Sequence, residues 1–172
     1  MMERLLTVLL ILFITGGCTG IPEGIKPVNN FDVNKYQGTW YEIARLDHSF
    51  ERGLEQVSAQ YTVKEDGNIE VINKGFSIQK NEWQEAIGKA KFVGNSDEGY
   101  LKVSFFGPFY GSYVIFELGD DYQYAFVSGP DLSYLWLLSR TKFVQSELLD
   151  RFTQQAKEYG FKTSELIMVN HE

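Results

Sequence analysis

The sequence predicts an all-β fold: an eight-stranded antiparallel up-and-down barrel with one C-terminal α-helix packed outside and a short final strand. Three observations carry this prediction. Eight short runs alternate in polarity or are rich in β-branched and aromatic residues, and Gly, Pro and Asp separate them. The connections are too short for crossovers, so sequential runs pair as neighbours. From Ser146 to Tyr159 the apolar spacing changes from two to three or four residues. A meander of eight strands either leaves two open edges or closes on itself, and closure removes the edge hazard. An eight-stranded barrel is just wide enough to hold one small ligand.

Residues 1–17 read as a signal peptide. Arg4 supplies a minimal basic start, and Leu5–Thr15 is an apolar run that ends in Gly16-Gly17-Cys18. A spanning helix needs about 20 apolar residues, so this run has the length of a signal core instead. Residues 18–30 are expected to be a modified N-terminus and a short tether. Thr19–Asn30 holds two Pro, two Gly and two Asn.

Residues 31–172 read as one domain. Phe31–Tyr36 is a polar turn with apolar anchors, expected as a short 3₁₀ turn leading into Gly38. The expected strands are 39–47, 57–64, 69–76, 82–93, 100–106, 112–118, 122–128 and 134–140. In the second, Val57, Ala59, Tyr61 and Val63 share one face. Asp66-Gly67, Gly107-Pro108, Gly119-Asp120-Asp121 and Gly129-Pro130-Asp131 mark turns. In the helix, Leu148, Leu149, Phe152, Ala156 and Tyr159 form one apolar stripe, and Gly160 is a natural stop. Residues 166–169 form the last strand, placed to add to an edge.

Composition excludes several functions. The net charge is −7. Glu3 and Arg4 cancel, so removal of residues 1–17 leaves the balance unchanged. There is no basic field for phosphates, which argues against nucleic-acid binding. The single Cys, at position 18, allows no intrachain disulfide. His48 and His171 are the only histidines, and no second ligand stands at metal-binding spacing, so neither metal nor cofactor is expected. No nucleophile–base–acid set is legible, so no catalytic residues are assigned and the chain is not read as an enzyme. His48 reads as a solvated loop residue over the barrel mouth; contact with a ligand's polar head is the alternative. Phe106–Gly111 is a hairpin whose exposed aromatics suit a membrane or dimer contact as an alternative.

The inward faces are the candidate ligand cavity. Alternation counted back from Arg140 places Leu138, Trp136 and Tyr134 inward. Ala59, Tyr61, Ala90, Phe92, Val103 and Phe105 are the corresponding residues on other strands. Small side chains at Ala86, Gly88 and Ala90 leave room. An apolar lining with a few tyrosine hydroxyls suits an acyl chain with a polar end; a filled core is the alternative.

Two resemblances extend this reading. Small residues before Cys18 resemble the lipobox of bacterial lipoproteins, although Thr15 replaces the usual Leu. That resemblance implies cleavage before Cys18 and acylation of it; Thr19 rather than Asp then implies the outer membrane. Gly38-Thr39-Trp40-Tyr41, a variant motif at Gly129-Pro130-Asp131 with Tyr134, and Arg140 closing LWLLSRT resemble the three motifs of the lipocalins. GTWYEIARLDHSFERGLE, VINKGF, KVSFFGPFYG and YLWLLSRT look like the bacterial outer-membrane lipocalins, close to the apolipoprotein D type. The resemblance implies that Gly38, Trp40 and Arg140 are structural, with the Arg lying across the Trp at the closed end. It implies a fatty acid or lysophospholipid ligand and a lipid anchor on the periplasmic side of the outer membrane. The family includes dimers, so a homodimer is among the expectations. An outer-membrane scaffold is the runner-up reading, and a lipid-modifying enzyme ranks below it.

Overall fold

The structure is a computed structural model, and it describes residues 19–172. The signal segment and Cys18 lie outside the described residues.

A single α-helical turn, α1 (Val33–Tyr36), opens the domain. Asp32 caps it: its carboxylate accepts from Asn34 N at 2.9 Å. Tyr36 N and Gln37 N donate four residues back, so the turn is α rather than the expected 3₁₀. Eight strands follow: β1 (Gly38–Arg45), β2 (Leu54–Val63), β3 (Ile69–Ser77), β4 (Glu82–Phe92), β5 (Tyr100–Phe106), β6 (Phe109–Leu118), β7 (Tyr124–Ser128) and β8 (Leu135–Ser139). Each pairs antiparallel with the next, and β8 returns to β1, so the sheet closes.

The seam between β1 and β2 is short. Their pairing spans only Gly38–Tyr41 against Tyr61–Ser58. Above it a short final strand, β9 (Ile167–Met168), pairs with Ala44 and Arg45. Gln56 N donates to Asn170 O at 2.8 Å, and Val169 N donates to Ile43 O at 3.0 Å. The C-terminal residues thereby bridge both strands where these diverge.

Two apolar clusters result from the alternation. One fills the interior, around Trp40, Tyr61, Val71, Ile115, Val127 and Leu138. The other lies outside, where α2 (Ser146–Glu158) buries Phe152 and Ala156 against Phe116, Phe126 and Leu137. Gly160 takes φ +90° after the helix, and Phe161 N reaches back to Ala156 O at 3.0 Å.

The strands define two ends. Connections 46–53, 78–81, 107–108 and 129–134 rim the open end. Turns 64–68, 93–99 and 119–123, with α1 and Arg140, form the closed end.

Three further expectations need correction. Thr19–Asn30 is not a free tether. Ile25 is buried in the outer cluster, Val28 N donates to Ile115 O at 2.9 Å, and Gly99 N donates to Val28 O at 2.8 Å. Its Pro and Gly residues bend a segment whose Ile21, Ile25 and Val28 have apolar surface to cover. Tyr122 does not begin a strand: it sits at φ 58° in a turn, and its hydroxyl accepts from Asp32 N at 2.8 Å. The room expected above Gly88 is occupied, because a Cβ there would fall 2.7 Å from the Phe105 ring.

Candidate functional site

The floor of the barrel is aromatic. Trp40 has no exposed surface, and its indole N–H donates to Tyr36 O at 2.8 Å. The Tyr36 ring stacks on it at 4.6 Å. Below, the Arg140 guanidinium lies 4.0 Å from the Trp40 ring centroid. Arg140 Nη1 donates to Thr39 O at 2.9 Å, Nη2 to Lys35 O at 2.8 Å and Tyr36 O at 3.2 Å, and Nε to Tyr122 O at 3.2 Å. One guanidinium therefore ties α1, β1 and the 119–123 turn together. Gly38 is required beside it: it takes φ +94°, and its Cβ position lies 3.4 Å from Arg140 Nη1.

Above the floor stand three tyrosines. Tyr36 and Tyr113 hydroxyls are 2.7 Å apart, and Tyr61 OH donates to Tyr113 OH at 2.9 Å. Three hydroxyl hydrogens supply two bonds, which leaves one hydrogen to donate elsewhere. Burial pushes all three phenols above their usual range, so they stay neutral donors.

The middle of the barrel is apolar. Ala59, Tyr61, Ala90, Phe92, Val103, Phe105, Trp136 and Leu138 all belong to the interior cluster. Ala59, Phe92, Val103 and Phe105 point inward yet keep partial exposure. The apolar interior is thus not completely shielded. Tyr134 sits apart: it precedes β8 and stacks on Trp136 at 6.2 Å, at the rim.

A buried polar cluster lies below the open end. Arg45 Nη1 contacts Glu42 Oε1 at 2.6 Å, with both side chains almost fully buried. Arg45 Nη2 donates to Glu51 O at 3.0 Å and Leu54 O at 3.3 Å. Trp136 Nε1 donates to Glu51 Oε2 at 3.1 Å. Burial and the neighbouring Glu51 charge push Glu42 well above the usual carboxylate range, against the pull of Arg45. Burial also raises Glu51, opposed by the Trp136 bond and the Arg45 charge. One guanidinium faces two buried carboxyls, so the arrangement favours one carboxyl keeping its proton.

His48 is buried, not solvated. The rings of Trp136, Phe50 and Tyr134 pack around it at 4.6, 4.9 and 5.2 Å. Burial, reinforced by the Arg45 charge, lowers its pKa to about 4. It is therefore neutral at pH 7, and its 3.8 Å approach to Glu51 is not an ion pair there. His48 Nε2 meets Leu46 O at 3.0 Å and His171 Nε2 meets Glu42 O at 2.7 Å, so both rings are engaged by backbone. Among the described residues, no three His, Cys, Asp or Glu side chains converge on a metal-sized site.

The sequence reading missed Glu42, Arg45 and Glu51. Glu42 had a signal, because it lies two residues beyond inward Trp40. Arg45 had none: a register shift between Glu42 and Ala44 turns Ala44 outward and Arg45 inward.

A closed eight-stranded barrel, open at one end, sealed by an arginine over a tryptophan and flanked by one helix, defines a lipocalin. The chain belongs to that family: the lipocalin-like domain model matches residues 31–171. It is 58% identical to the outer membrane lipoprotein Blc of Vibrio cholerae over 170 residues, covering 98% of this chain and 99% of the relative. It is 35% identical to mouse apolipoprotein D, covering 70% of this chain and 66% of that protein. Insecticyanin from the tobacco hornworm shares the fold, with a TM-score of 0.71 at 21% identity over 89% of this chain and 87% of its own.

Proposed function

We propose that this chain is a lipid-anchored outer-membrane protein that binds a fatty acid or lysophospholipid in its barrel. Cys18 carries the anchor. Ala59, Tyr61, Ala90, Phe92, Val103, Phe105, Trp136 and Leu138 surround the acyl chain, and Tyr134 contacts the ligand where it enters. The chain acts by holding its ligand, not by converting it. The observation that carries this reading is the partly exposed apolar interior between two polar poles. The Tyr36–Tyr61–Tyr113 hydroxyls lie at one pole and the Arg45–Glu42–Glu51 cluster at the other. A concave apolar site with few convergent polar groups is what a single-chain amphiphile requires. The name of the Vibrio relative supports the location and the anchor.

Native mass spectrometry of protein extracted from membranes, compared with lipid-stripped protein, tests the binding. Retention or rebinding of an acyl ligand is expected; failure of both sinks the lipid assignment. Mass analysis of the mature N-terminus tests the anchor, which requires an acylated Cys18.

A further inference from the structure

We infer that the open rim of the barrel docks on a lipid bilayer, so that the mouth faces the membrane that holds the anchor. This rests on the anchor reading given above for Cys18.

The first observation is where Thr19 and Gly20 lie. Ser112 Oγ donates to Gly20 O at 2.6 Å, the Tyr100 hydroxyl bonds Thr19 O, and Gly20 lies against Pro130 O. Pro130 belongs to the 129–134 connection at the open end. From there the segment runs down β6, past Val28 at Ile115 to Phe31 N, which donates to Asp97 O at 2.8 Å in a closed-end turn. Cys18 immediately precedes Thr19. Two extended residues reach about 7 Å, whereas a ten-residue strand such as β6 spans about 33 Å. An acyl group on Cys18 therefore belongs to the open half. Closed-end docking requires peeling residues 19–30 off the barrel.

The second observation is independent of the first. Every open-end connection carries or adjoins an exposed large apolar side chain: Phe50, Ile78 beside Trp83, Phe106 with Phe109, and Leu132. Phe106 is 79% exposed and Phe109 66%. Within the connections the exposed charges cancel, with Asp47 bonded to Arg52 and Lys80 offset by Asp131, and Glu82 beside Trp83 adds one acid. The closed-end turns differ. They carry Glu65, Asp66, Asp97, Glu98, Asp120 and Asp121 against the single cation Lys64, and Val93 is the one exposed large aliphatic side chain in them. An apolar rim with few net charges suits the boundary between head groups and acyl chains, while a more acidic face is repelled by anionic lipid. In this pose the mouth meets the layer from which an amphiphile would be drawn.

The mature body lacks other cysteines, so labels are selective. Full acylated protein carrying Gln79→Cys (open end) or Asp120→Cys (closed end), each with an environment-sensitive fluorophore, is reconstituted into phosphatidylethanolamine–phosphatidylglycerol vesicles containing doxyl-labelled lipid. The expected result is a blue shift and quenching at position 79, with position 120 unchanged. The Phe106→Ser/Phe109→Ser background should weaken the quenching at 79. Quenching at position 120, or at neither position, overturns the docking. The N-terminal mass of the same preparation reads the anchor separately. An acylated chain with an unquenched rim refutes the docking alone; an unmodified Cys18 removes the premise and refutes both.

Discussion

Each end of the barrel is organised by an arginine, and the two arginines do different work. Arg140 lies beneath the closed end, partly exposed, over an indole and against neutral backbone carbonyls. It is a latch whose charge has no ionic partner at short range among the described residues. Arg45 lies inside the open end, among two carboxyls that share its charge. Its energy depends on which of those carboxyls is ionised. The same side-chain type thus gives a pH-insensitive fastening at one end and a charge balance at the other.

The largest expected effect is at the open end. Arg45→Met leaves Glu42 and Glu51 buried without a cation, which should cost about 3–5 kcal/mol near pH 8. The cost should shrink toward pH 5, as the raised carboxyls take up protons without opposition. Urea midpoints at the two pH values measure it; an equal loss at both would break the contrast with Arg140.

Next comes Arg140→Lys. An ammonium cannot reach four carbonyls in one plane or stack as a guanidinium does, so a loss of about 2 kcal/mol is expected. That loss should be the same from pH 5 to pH 8. A pH-dependent loss would show that the latch has an ionic partner after all.

His48 sharpens the comparison further. Its folded pKa is depressed to about 4, so the unfolded chain binds the proton first. Its contribution is complete above about pH 6.5 and is lost as pH falls toward 4, on the order of 1–2 kcal/mol. In His48→Gln, thermal midpoints between pH 6.5 and 4 should fall less steeply than in the parent. A parallel decline would assign the acid sensitivity to other groups. The smallest effect belongs to Phe106→Ser with Phe109→Ser, within about 0.5 kcal/mol, because both rings are already in water. A larger change in the denaturation midpoint would mean that the rim supports the fold as well.

The closed end was legible in the sequence, and the open end was only partly so. Gly38, Trp40 and Arg140 were found through their likeness to family motifs, because they lie at strand ends beside short turns where the local sequence is distinctive. Period-two counting placed Trp136 and Leu138 on the interior face. It failed at Arg45, because the register shift after Glu42 inverts the face without a residue type that announces it. It failed at His48 because a loop of Asp, Ser, Glu and Arg reads as solvated. Its burial comes from Trp136 and Tyr134, far away in the chain. Thr19–Asn30 misled for the reverse reason: Pro and Gly suggest a tether, yet β6 and α2 offer its isoleucines a groove.

The C-terminal seam joins parts of the chain that are distant in sequence. Val169 and Asn170 hold the upper halves of β1 and β2 together, and His171 is buried against Glu42 O. These residues fasten two strands that lie far earlier in the chain. By the same token, a reporter fused directly to Glu172 would pull on the seam, whereas one joined through a flexible spacer would leave it shut.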